Sequence, residues 1–241
     1  MLGDSFGVYA RNFIGFTALA LIIGLIELLF TIYSGANQVD EFGEVKFAGY
    51  QAMVMRLITL LTRSLTEATL IYGTFQDLRG QKAGVGACVA WGLTSIISVI
   101  FGSIVSSIGI GAASLLFLIP GLIVMTIWWV YVPAIVVERK GVFDAFSRSA
   151  YLTAGHRWGV FGLIIIVILL SIAVTYISEM ISYVVITMWP GVDAFLLFLV
   201  VNYVGGALIA AFGAVLVAVG YYYLRAEREG IDADQIASIF D

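Results

Sequence analysis

Glu27, Arg56, Arg63 and Glu67 are the residues whose type and position ask for a chemical role, because each lies inside a long apolar run. A charged side chain near the centre of a bilayer costs about 2.5–3.5 kcal/mol on insertion scales, so each is expected to have a partner. Glu27 and Arg56 fall at similar depths of consecutive runs and are expected to meet across the hairpin between them. Arg63 and Glu67 stand four apart, the spacing of a helical ion pair. Arg56 and Arg63, seven apart, share one face. Two readings stay open: ion pairs that fix helix register, or a polar site for an ion, a proton or a lipid headgroup.

Other chemistry is sparse. The chain has one histidine (His156) and one cysteine (Cys88). A histidine-rich metal site, a cysteine cluster and an internal disulfide are therefore excluded. No HExxH, phosphate-binding Walker loop, GxSxG or dinucleotide fingerprint occurs. No catalytic residue, metal or cofactor is expected.

The elements that must position these charges are apolar segments at about 12–34, 50–75, 84–108, 112–137, 158–188 and 194–224. Of the 241 residues 61% are hydrophobic and 12% charged, against about 25% charged in soluble domains. The runs are continuous rather than alternating, which excludes a β-barrel, and each is near the roughly 20 residues a spanning helix needs. Arg11, Arg79, Lys82, Arg139, Lys140, Arg148, Arg157, Arg225 and Arg228 fall on one side of these segments, and Lys46 alone on the other. Basic residues in short loops stay in the cytoplasm. The expected fold is an all-α membrane protein, a single domain over 1–241. It has six spans in three in–out–in hairpins and both termini inside. The outer loops are SGANQVDEFGEVKFAG, SSIGIGAAS and TMWPGVDA. No basic stripe points to nucleic acid.

Cytoplasmic amphipathic helices are expected over 1–11 and 141–155, lying in the headgroup plane. In the second, Val142, Phe143, Ala145, Phe146 and Ala150 make an apolar arc, with Asp144, Ser147, Arg148 and Tyr151 opposite; Trp158 follows at the interface. In the cytoplasmic tail, 226–241, Asp232 and Gln235 read as a capping pair ahead of Ile236, Ile239 and Phe240. In the sixth segment Gly206, Ala210, Gly213, Ala214 and Gly220 recur at helical spacings. Small residues of this kind allow close helix approach, so this is expected to be the central helix. Pro120 and Pro133 are expected to kink the fourth segment.

LIPGLIVMTIWWVYVPAIVVERKGVFDAFSRSAYLTAGHRWGVFGLIII resembles a stretch of bacterial integral membrane proteins related to the membrane domain of glycerophosphoryl diester phosphodiesterases. The similarity rests on Pro120-Gly121, Pro133, Glu138, Arg148-Ser149, Leu152-Thr153, Gly155 and Trp158. VYARNF, TEATLIYGTFQDLRGQKAGVGACVAWG and YYYLRAEREGID are similar too. The resemblance implies a six-helix module of the bacterial inner membrane without the soluble phosphodiesterase barrel, and it does not imply phosphodiesterase activity. The leading functional expectation is a non-catalytic accessory or scaffolding subunit that meets a membrane protein partner or a second copy of itself within the lipid bilayer. The alternative is a small transporter or lipid-handling protein using the polar cluster of the first hairpin.

Overall fold

The computed structural model describes residues 1–35, 49–81, 84–189, 191 and 193–230. Among these the chain is all α, with no strand: α1 (Leu2–Arg11), α2 (Phe13–Gly35), α3 (Gly49–Leu78), α4 (Val85–Leu116), α5 (Leu118–Ile127), α6 (Tyr131–Glu138), α7 (Val142–Thr153), α8 (Arg157–Met188) and α9 (Ala194–Glu229). Among the described residues five stretches are long and apolar enough to cross a membrane: Phe13–Ser34, Val85–Leu115, Leu118–Glu138, Arg157–Met188 and Ala194–Glu229. At 30 residues α3 is also long, but Arg56, Arg63, Glu67 and a series of threonines and serines interrupt its apolar surface. The first outer loop, Lys46, Lys82 and the residues from Ile231 onward, with the expected Asp232 cap, lie outside the described residues. Residues 226–229, read as tail, continue α9.

α9 is central, packing against α1, α2, α3, α6, α7 and α8. The small residues that make this possible are only partly those expected. A Cβ on Gly220 would lie 2.5 Å from the Trp129 ring, and one on Gly205 would lie 2.9 Å from both Ser178 Oγ and Val174 Cγ1. Ala214 is buried as well. Gly206 and Gly213, by contrast, face open space, and Ala210 is exposed. One residue of register separates Gly205 from Gly206, about 100° around a helix, and the recurrence in sequence does not say which of the two faces a neighbour.

Two turns differ from expectation. SSIGIGAAS is helical, because α4 runs on to Leu116 and the chain reverses at Phe117, whose backbone is extended. Gly109 is there for packing: a Cβ on it would lie 2.4 Å from the Trp128 ring. Pro120 is therefore no kink. It sits in the first turn of α5, where its missing N–H has no helical partner to lose. Pro133 sits in the first turn of α6, just after a full break between Ile127 and Tyr131.

That break is stabilised from α7. The Ser149 hydroxyl donates to the Ile127 carbonyl at 2.8 Å and accepts the Val130 N–H at 3.2 Å. α7 consequently packs through Ala145, Phe146, Ser149, Leu152 and Thr153, a face rotated from the expected apolar arc. Phe143 is left 70% exposed. Trp158, 87% exposed, belongs to the start of α8. α1 is a helix as expected, with Ser5 and Val8 buried and its length packed along α9.

Gly220→Ala forces the Trp129 ring to move and is expected to cost about 1–3 kcal/mol, the range for overpacking. Gly206→Ala, with open space beside it, should leave stability unchanged; thermal unfolding of the two variants in one detergent compares them directly.

Candidate functional site

On a helix, positions 56, 60, 63 and 67 fall on one face, and in α3 that face lines a cavity of about 450 Å³ with α4 and α6 across from it. Arg56, Arg63 and Glu67 supply its charges. Ser103, Ser106 and Ser107 of α4 supply hydroxyls, and Tyr131, the first residue of α6, supplies a phenol. Arg56 and Arg63 are exposed and Glu67 is half-buried, so the cavity opens onto the surface of the bundle.

Tyr131 is the most firmly held of these groups. Its ring stacks on Phe146 of α7 with centroids 4.8 Å apart, and Gly102 of α4 leaves space for it, since a Cβ there would lie 2.9 Å from the ring. Its hydroxyl is 3.2 Å from Ser103 Oγ, which donates to the Val99 carbonyl at 2.9 Å. The helix break thus places a phenol in the cavity wall.

The expected ion pairs do not form. Glu27 accepts from Thr59 Oγ1 at 2.9 Å and Thr62 Oγ1 at 3.2 Å. Thr62 lies about a third of a turn around α3 from Arg56 on a 3.6-residue helix, while Thr59 also lines the cavity, so Glu27 meets α3 at the edge of the face that carries the arginines. Arg63 and Glu67 line the same cavity without closing to salt-bridge distance. Among the described residues, neither Arg56 nor Arg63 has an ion-pair partner. The serines were legible as a signal: positions 103, 106 and 107 are a polar stripe at helical spacing in an otherwise apolar run. Tyr131 had no such signal, because its position depends on the break.

A second polar cluster joins α6, α7 and α9. Arg148 Nε donates to both Glu138 oxygens at 2.9 and 3.1 Å, and its Nη2 reaches Glu138 Oε1 at 2.8 Å and Glu229 Oε1 at 2.5 Å. Arg225 Nε donates to Glu229 Oε2 at 2.8 Å and stands 3.8 Å from Glu138 Oε1. The Tyr221 hydroxyl also donates to Glu138. Burial opposes the charge on Arg148, but the hydrogen bonds and charges of Glu138 and Glu229 outweigh it and raise its pKa above the ordinary arginine value. Arg148, expected on the solvent side of α7, is thus an internal strut.

A smaller cavity of about 330 Å³ lies between α1, α3 and α9, bounded by Asp4, Arg11, Tyr222 and Tyr223. Its charges are engaged: Arg11 Nη2 donates to Asp77 at 2.6 Å and the Tyr223 hydroxyl to Asp4 at 3.0 Å. Among the described residues no group of three or more His, Cys, Asp or Glu stands close enough to hold a metal ion.

A family model described as a domain of unknown function (DUF7847) matches residues 78–226. No curated protein and no solved structure matches the chain. The matched residues include the α4 serines, Tyr131 and, of the charge cluster, Glu138, Arg148, Tyr221 and Arg225; Glu229 follows them, and Arg56, Arg63 and Glu67 precede them.

Arg148→Ala takes from Glu138, whose side chain is 8% exposed, its bidentate partner and leaves it Tyr221, Lys140 and Arg225; it is expected to cost about 3 kcal/mol, the low end for breaking one side of a buried pair. Lys140→Ala, at 3.6 Å from Glu138 with its side chain 39% exposed, should cost under about 1 kcal/mol. Detergent unfolding midpoints of the two variants measure the contrast.

Proposed function

We propose that this chain, which belongs to the DUF7847 family, is a six-span membrane bundle that binds an anionic ligand in the cavity between α3, α4 and α6. It acts as a lipid-handling or small transport protein. The observation that carries the reading is the pair of guanidiniums, Arg56 and Arg63, lining a 450 Å³ cavity without an ion-pair partner among the described residues. In a soluble protein such arginines would be ordinary surface. Within a bilayer each is expensive unless an anion or water meets it, and the cavity leaves room for both.

The six-span reading takes α3 as the second crossing. At 30 residues it is about 45 Å long at 1.5 Å per residue, ample for the hydrocarbon core. Its charges then face the cavity rather than lipid. In this topology α1 and α7 lie at the cytoplasmic surface, together with Arg11, Arg79, Arg139, Arg148 and Arg228. Contacts of Arg11 with Asp77 and of Arg228 with the Ala154 carbonyl support a common end for these residues. The bacterial inner membrane is the location implied by the resemblance to the phosphodiesterase membrane domain.

One observation favours the accessory-subunit reading: Gly206, Ala210 and Gly213 leave a smooth exposed strip on α9, the kind of surface on which transmembrane helices associate. Under that reading Gly206→Leu lowers recovery of a partner or second copy in mild detergent; unchanged assembly removes its support.

The binding reading is tested on full-length protein purified from its own membrane in mild detergent and weighed by native mass spectrometry. Wild type is expected to carry an anionic molecule that the Arg56→Gln/Arg63→Gln double variant lacks. Equal bare masses for both proteins overturn the proposal.

A further inference from the structure

We infer that the cavity's ligand is a membrane lipid held by a phosphodiester headgroup, with its phosphate seated between Arg56 and Arg63. The inference rests on the cavity being the binding site proposed above and names what that site selects.

Charge is the first ground. The cavity lining sets two guanidiniums against one carboxyl, Glu67, while Glu27 is held behind it by Thr59 and Thr62. Imbalance is costly where water is scarce, and an added anion reduces the excess of cation over acid in the lining. A phosphodiester carries one negative charge. A phosphomonoester carries about −1.5 to −2 near pH 7 and would leave an excess beside Glu67.

Oxygen geometry is the second ground. Arg56 and Arg63 stand two helical turns apart, about 10 Å along the axis, and each presents a planar fork of donors. A fatty-acid carboxylate holds its two oxygens in one plane, which suits a single planar fork. A phosphodiester holds two charged oxygens on a tetrahedral phosphorus, and these can face two forks from different directions.

Shape and access complete the argument. At about 450 Å³ the cavity falls within the range of roughly 300–1,000 Å³ for small-molecule sites. A bare phosphate would leave most of it to water, while a headgroup fills it. Ser103, Ser106, Ser107 and Tyr131 provide neutral hydroxyls for ester oxygens and headgroup hydroxyls. The same turns of α3 and α4 carry the exposed apolar side chains Leu57, Leu61, Ile104 and Ile108. Acyl chains can lie along that surface while the headgroup enters sideways.

Delipidated full-length protein is titrated with detergent micelles containing phosphatidylglycerol, phosphatidic acid or oleate, and inorganic phosphate is added as competitor. Native mass spectrometry reads occupancy. Wild type should bind one phosphatidylglycerol in preference to the others. Arg63→Gln should weaken it tenfold or more, and Glu67→Gln should shift preference toward phosphatidic acid. If Arg63→Gln fails to fold, Ser106→Leu, which fills the opposite wall, takes its place with the same loss expected. Arg63-dependent binding in which oleate or free phosphate matches phosphatidylglycerol overturns the phosphodiester and leaves anion binding standing. Lipid uptake indifferent to Arg56, Arg63 and Ser106 overturns both.

Discussion

Buried opposite charges that neutralise one another across helices set the architecture of this bundle. Glu138 ends α6, Arg148 lies mid-way along α7, and Arg225 and Glu229 occupy the last turns of α9. Each would be costly alone; Arg225 and Glu229 pair within α9, while Arg148 meets both Glu138 and Glu229 only when three separate helices hold a single relative position. This makes the cluster a device of orientation more than of net stability, since well-packed apolar residues of similar volume could hold the helices as tightly. The Ser149 hydroxyl depends on it. Only with α7 pinned beside α6 does that hydroxyl reach the Ile127 carbonyl and the Val130 N–H. Without those bonds the interrupted segment would expose backbone groups that hydrocarbon cannot satisfy. Tyr131 begins α6 immediately after the break, so the cavity wall depends on the same cluster.

The residues behind the family resemblance take on meaning in this light. Glu138, Arg148, Ser149 and Thr153 are the residues that tie α7 to the broken segment, and Gly155 supplies the turn into α8 with a φ of +88°. Such a signature records how a fold is held together.

Much of the helical architecture was legible because continuous apolar runs permit little else in a bilayer. The ends of α2, α3 and α8 fall close to the sequence limits. What failed did so where glycine and proline have two meanings. Gly109 read as a turn, yet its role is to admit the Trp128 ring. Pro120 read as a kink, yet it occupies a helix start. Local sequence cannot separate a small residue needed by the backbone from one needed by a neighbour's side chain. The packed face of α7 was hidden for a related reason. Its decisive residue, Ser149, is polar, and its partner is a carbonyl freed by a break 22 residues earlier.

The site was legible in its members and not in its pairing. Depth along the spans brought Glu27 and α3 together, but depth says nothing of azimuth, and Glu27 takes the hydroxyls of Thr59 and Thr62 rather than Arg56. That detail has a consequence. Had Glu27 taken Arg56 and Glu67 taken Arg63, all four charges would have been spent on register. Hydroxyls satisfy Glu27 instead, leaving two cations and one acid around a 450 Å³ space. At the α6–α7–α9 cluster the chain provides two acids for two buried arginines. At the cavity it provides one. The same electrostatic rule governs both places, so the unmet charge at the second is the feature that calls for a molecule from outside the chain.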